Sequence, residues 1–173
     1  SSSMTAMQCL SHDSDKTECE SDSPVVKAIE NCTEDDSSEN KMLTKILKRV
    51  LIVDDVKLNR NILCRMLKGR CEKVNCAENG LDAVRAMQSA IDSSDKFDLV
   101  LMDYQMPTMD GPSAAKAMRE LGYTGPIIGV TGNTLQCDID EFVLSGANLV
   151  LAKPLVINIL VQTISDLAAT NSL

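Results

Sequence analysis

From Lys45 onward the chain alternates short apolar runs with stretches whose apolar residues recur at helical spacing, each unit being about 22 to 28 residues long. Val50, Leu51, Ile52 and Val53 form the first run and read as a strand. Leu58, Ile62, Leu63, Met66 and Leu67 then fall on one face of a helix. A weaker strand is predicted over 72–77, and Asn79-Gly80 leads into a helix marked by Leu81, Val84, Met87 and Ile91. The run Leu99, Val100, Leu101, Met102, bounded by Asp98 and Asp103, suits a strand buried on both faces, as in a parallel sheet. Pro107 and Gly111 hold a loop after it, which places Asp103 at the mouth of the sheet, facing solvent. Pro112 at a first helical position opens a helix over 112–121 that Gly122 ends. Gly125-Pro126 turns the chain into a fourth strand, PIIGV. A helix over 135–145 stops at Gly146, a fifth strand covers 149–152, and a last helix covers 156–168.

Five β/α units in alternation predict an α/β fold, a parallel sheet with helices on both faces. The right-handed crossover rule leaves few arrangements. The doubly wound, flavodoxin-like (βα)5 order 2-1-3-4-5 is the expectation, with any ligand bound beyond the carboxyl ends of the strands. The residues at those ends carry chemistry: Asp54 and Asp55 after strand one, Asp103 after strand three, Thr131 after strand four, and Lys153-Pro154 after strand five. Each alone has a plain explanation as a helix cap, a turn residue or a solvated charge. All five at one sheet edge do not.

Three carboxylates in one cleft repel each other by about 4 kcal/mol for a pair 4 Å apart at an effective dielectric near 20. Such a site wants a cation. With oxygen ligands alone, Mg²⁺ is the expected ion, holding a few carboxylates and keeping water or phosphate oxygens in its other positions. A divalent ion beside a carboxylate nucleophile, with a lysine and a hydroxyl to hold oxygens, describes phosphoryl transfer, with Asp103 as the nucleophile that becomes an aspartyl phosphate.

Composition narrows the alternatives. The formal charge of −8 comes entirely from residues 11–40, which hold ten acidic and two basic side chains; the rest carries fifteen of each sign. Residues 1–44, rich in Ser, Asp and Glu, are expected to be a disordered acidic linker or tail, and residues 45–173 the folded domain. No basic footprint points to nucleic acid, and no apolar run approaches the roughly 18 residues of a membrane span. The seven cysteines contain no CxxC pair, and His12 is the single histidine. Zinc therefore lacks ligands, thiols in a reducing cytosol are the expectation, and a phosphohistidine relay cannot begin within the folded part. The chain opens on Ser1, as a segment cut from a longer polypeptide would.

The motifs VDD (53–55), MDYQMPTMDG (102–111), VTGN (130–133) and AKP (152–154) resemble, in order and spacing, the receiver domain of two-component response regulators over residues 45–173. That resemblance implies Asp103 as phosphoacceptor, with the Mg²⁺ shell formed by Asp103, Asp55 directly, Asp54 through water, and the main-chain carbonyl of Gln105. It implies that Thr131 and Lys153 bind phosphoryl oxygens and that the Lys153–Pro154 bond is cis. The expected donor is a histidine kinase or a histidine phosphotransfer domain. Such a domain assists its own phosphorylation and dephosphorylation without being a turnover enzyme.

VDDVKLNRNIL, with Asn59-Arg60, and DYQMPTMDG are most like the C-terminal receiver of a hybrid histidine kinase, which implies a cytoplasmic and monomeric module, one setting for it being the cytosolic part of a membrane-anchored receptor kinase. A stand-alone single-domain regulator is the alternative. A haloacid-dehalogenase-type phosphatase is a more distant one, since its acid/base carboxylate is replaced by Gln105. The family's switch aromatic, three positions before the lysine, is here Val150, so output through that residue is not expected to follow the usual route. Gln105 and Asn133 stand where water access to the acyl phosphate is tuned and offer neither carboxylate nor amine.

Overall fold

The computed structural model describes residues 47–170; the expected tail over 1–44 lies outside them. The described chain runs β1 (Leu47–Val53), α1 (Lys57–Leu67), β2 (Cys71–Ala77), α2 (Gly80–Asp92), β3 (Leu99–Asp103), α3 (Gly111–Glu120), β4 (Ile127–Thr131), α4 (Gln136–Leu144), β5 (Leu149–Ala152) and α5 (Ile157–Thr170). All pairings are parallel and the order is β2-β1-β3-β4-β5, as the alternation predicted.

Alternation of side chains along the strands builds two cores, one on each face. Leu51, Val53, Val100, Met102, Ile127 and Val150 point to the face covered by α2, α3 and α4, where Met87, Met118 and Phe142 fill the space. Val50, Ile52, Leu99, Leu101 and Ile128 point to the other, against Leu63 and Leu67 of α1 and Leu160 and Ile164 of α5. Because β3 and β4 are covered on both faces, every one of their residues is buried. This is why they read as continuous apolar runs rather than as alternating strands.

Helix ends follow local chemistry. Asn79 and Asp110 cap α2 and α3, accepting from the N–H of Asp82 and Ser113. Asp110 as cap makes Gly111 the first helical residue and Pro112 the second, one position later than the sequence suggested. Gly122 (φ +87°) and Gly146 (φ +115°) turn the chain after α3 and α4 in the left-handed region that other residues avoid.

Candidate functional site

The site stands on the carboxyl ends of four strands. Asp54 and Asp55 leave β1, Asp103 closes β3, Thr131 closes β4, and Lys153 follows β5 through a cis Lys153–Pro154 bond. One carboxylate oxygen from each of Asp54, Asp55 and Asp103 lies within 4.8 Å of the others. From the edge of the sheet, Lys153 reaches across and donates Nζ to Asp54 Oδ2 at 3.0 Å and to Asp103 Oδ1 at 2.9 Å. Pro107, Thr108 and Met109 form the loop beside Asp103, and Gly111 N–H donates to the Tyr104 carbonyl to close it. A Cβ on Gly111 would lie 2.2 Å from the Asp103 carbonyl oxygen, so only glycine lets α3 begin this close to the acceptor strand.

Asp103 is therefore not the solvent-facing acid that the strand-end position suggested. It is 7% exposed, enclosed by the loop that follows it and by Lys153. Burial pushes its pKa up, Lys153 and the Tyr104 N–H pull it down, Asp54 pushes it up again, and the net direction is upward. Lys153 is driven the other way by burial, yet its bonds to Asp103 and Asp54 hold it above the ordinary lysine value, so it is a firm ammonium. The two shifts differ in origin: burial is the main cause at Asp103, with the Asp54 charge a smaller one, whereas Lys153 is held up by its two carboxylate partners.

The flanking residues hold this shape. Asp54, 2% exposed, accepts from the Val56 N–H at 2.9 Å and from Asn59 Nδ2 at 3.1 Å to each oxygen. Arg60, buried beneath the acidic pair, donates to the carbonyls of Asp54 (2.7 Å) and Asp55 (3.1 Å) and pairs with Glu78. Asp55 itself is exposed. Thr131, buried, donates its hydroxyl to the Asn133 carbonyl and accepts from the Asn133 N–H, both at 3.0 Å. Gln105 is exposed in the β3–α3 loop.

The sequence reading missed the roles of Asn59, Arg60, Tyr104 and Glu141. Arg60 carried a legible signal, since it shares the buried α1 stripe with Leu63 and Leu67 and a guanidinium there needs buried acceptors. Tyr104 donates its hydroxyl to Glu141 of α4 at 2.6 Å and packs edge-on against Phe142, ring centroids 5.5 Å apart. The hydrogen bond to Glu141 raises the Tyr104 pKa. Phe142 in turn lies over Gly129, where a Cβ would come within 2.7 Å of its ring, with Val150 alongside. Aromatic bulk near Val150 thus comes from α4, not from β5.

Comparison with known proteins agrees with the geometry. The family model described as the response regulator receiver domain matches residues 50–165. The chain is 42% identical over 109 residues to the two-component response regulator ORR41 of Oryza sativa subsp. japonica, covering 62% of this chain and 84% of that one. It is 34% identical over 116 residues to the sensor histidine kinase RcsC of Escherichia coli K12, covering 67% of this chain but spanning only 12% of that kinase. Among solved structures, the receiver domain of the histidine kinase CKI1 from Arabidopsis thaliana, complexed with Mg²⁺ and BeF3⁻, superposes with a TM-score of 0.67 at 28% identity, covering 76% of this chain and 95% of that one. With five parallel strands in the order 2-1-3-4-5 and an acid-and-lysine cluster at their carboxyl ends, this chain belongs to the response regulator receiver family.

Proposed function

We propose that Asp103 accepts a phosphoryl group from a phosphohistidine of a histidine kinase or phosphotransfer domain, in a Mg²⁺-dependent reaction. The observation that carries this reading is the bridge of Lys153 between Asp54 and Asp103, inside a cluster of three carboxylates at one sheet edge. An all-oxygen donor set with surplus negative charge fits a hard divalent cation. Asp54, Asp55, Asp103 and the Gln105 carbonyl are the residues that would hold it. When bound, the ion neutralises the charge that the transferring phosphoryl group brings to the cluster.

The remaining steps belong to the chain. An Asp103 carboxylate oxygen attacks phosphorus, the O–P bond forms, and the P–N bond to the donor imidazole breaks, its electron pair leaving on nitrogen. Lys153 Nζ, already 2.9 Å from Asp103, is placed to accompany a phosphoryl oxygen. Thr131 reaches a second oxygen by releasing Asn133. Val56 before α1, Leu58 and Ile62 on α1, and Val156 after β5 are exposed apolar side chains next to this edge, which supports docking of a partner domain there.

The test is labelling from a small phosphodonor with Mg²⁺. One phosphoryl group per chain is expected, with none in Asp103→Asn. Absence of label in the wild type, or its persistence in the variant, overturns the assignment.

We further infer a relay module on the cytosolic side within a hybrid kinase, consistent with the match to a small part of RcsC. Coverage of 84% of the rice regulator favours a second reading, a stand-alone regulator. The size of the endogenous protein on an immunoblot separates the two. No helix among the described residues is long and apolar enough to cross a membrane.

A further inference from the structure

On the face of the molecule that packs α1 against the edge strand, two thiols lie outside the phosphoacceptor site. Cys64 of α1 and Cys76 of β2 place their sulfurs 3.5 Å apart. Both are free thiols, Cys64 half-buried and Cys76 exposed, so the pair is within reach of small reagents. Reaching bonding distance requires an approach of about 1.5 Å. β2 pairs on one side only, with β1, so its free edge can take up that movement without breaking a second ladder. The third nearby thiol, Cys71, is engaged elsewhere, with its sulfur 3.6 Å from the Leu67 carbonyl oxygen.

We propose that Cys64 and Cys76 form a reversible intramolecular disulfide, a modification site whose oxidant is a small disulfide of the glutathione class. One cysteine thiolate attacks a sulfur of the oxidised glutathione, its S–S bond breaks, and one glutathione thiolate leaves. The second cysteine thiolate then attacks the protein sulfur of the mixed disulfide, forming the Cys64–Cys76 bond and expelling the second glutathione. Two protein thiols are oxidised, one small disulfide is reduced, and the two protons lost by the cysteines end on the two glutathiones. The bond ties α1, with Asn59 and Arg60 on it, to the edge of the sheet. Burial and the hydrogen bond with Cys64 push the Cys76 thiol up to about 11 against the smaller opposing pull of Arg60. Cys76 therefore rests as a thiol at neutral pH, and its exchange accelerates by up to about tenfold per pH unit as thiolate appears.

Peptide mapping of the full chain tests this. After incubation with oxidised glutathione at about pH 8 and alkylation, non-reducing tryptic digestion places Cys64 in peptide 61–65, Cys76 in 74–85 and Cys71 in 71–73, so each pairing has its own mass. The expected product is 61–65 linked to 74–85, lost on treatment with dithiothreitol, absent in Cys64→Ser and retained in Cys71→Ser. Separate glutathione adducts on Cys64 and Cys76, linkage of either to another cysteine, or no reaction of the folded chain under conditions in which the denatured chain reacts would each overturn the proposal.

Discussion

The two edges of the same sheet use charge in opposite ways. At the amino edge, where the strands begin, charged groups are matched to the backbone. The Asp98 carboxylate accepts the main-chain N–H of Lys48 at 2.6 Å and of Arg49 at 2.8 Å. Arg119 donates to the carbonyls of Gly146, Tyr123 and Gly125 and to the Asn148 side chain, while its guanidinium lies 5.4 Å from the Tyr123 ring centroid. At the carboxyl edge three carboxylates cluster, and two of them, Asp54 and Asp103, share one ammonium. The first arrangement satisfies charge within the fold, holding the α3–β4 and α4–β5 connections together. The second leaves charge unbalanced, ready for groups that arrive from outside.

The largest expected effect comes from breaking the amino edge. Arg119→Ala removes four donors from acceptors that remain in a half-buried pocket, and a loss of about 3 kcal/mol in unfolding free energy by urea titration is expected. Phosphoryl uptake at Asp103 by the folded fraction should be unchanged. A loss below about 1 kcal/mol would mean that water replaces the guanidinium freely, and the contrast between the edges would shrink accordingly.

At the carboxyl edge the sign reverses. Asp103→Asn removes one of three mutually repelling charges while keeping an acceptor for Lys153 and the Tyr104 N–H, so a gain of about 1 kcal/mol is expected without Mg²⁺. The pH dependence follows from the raised Asp103 pKa. The folded wild type holds this proton more tightly than the unfolded chain, so the contribution is fully present below the ordinary carboxylate value of about 3.9 and is lost as pH rises through the raised one. The stability gap between variant and wild type should thus be smallest near pH 3 and reach its full size above the raised value. Saturating Mg²⁺ should narrow it by stabilising the wild type more. Thermal melts across pH, with and without Mg²⁺, measure both; a variant less stable than wild type at neutral pH in the absence of metal would contradict the charge imbalance.

The difference between the edges also explains what could be read from the chain. Asp54, Asp103, Thr131 and Lys153 stand at strand ends, and strand ends are marked by where apolar runs stop, so their shared edge follows from pattern and topology alone. The acceptors of Arg119 are mostly main-chain carbonyls, which every residue possesses, so nothing in the sequence singles them out. The burial of Asp103 was illegible for a related reason. It depends on how the loop before Gly111 folds back and on a lysine fifty residues away, neither of which alters the local pattern that suggested an exposed acid. Val150 shows the same limit: its departure from the family's aromatic position was visible, whereas the nearby ring of Phe142 follows only from the packing of α4 on Gly129.

Tyr104 is where the carboxyl edge connects to the rest of the molecule, and it gives the smallest expected effect. Its N–H donates to Asp103 Oδ1 at 2.9 Å, its hydroxyl to Glu141 at 2.6 Å, and its ring meets Phe142. Tyr104→Phe keeps the main-chain bond and the ring contact and deletes only the exposed hydroxyl bond, so stability should fall by about 0.5 kcal/mol and phosphoryl uptake should not change. Hydrogen exchange in α4 should nevertheless speed up, because the helix has no side-chain cap at Leu135 and loses its one hydrogen bond to the residue beside the acceptor. If exchange in α4 is unaltered, the helix is held by the packing of Phe142 and Ile139 and by the Asn133–Asp138 hydrogen bond, and the imbalance of charge at Asp103 reaches it through packing rather than through the Tyr104 hydroxyl.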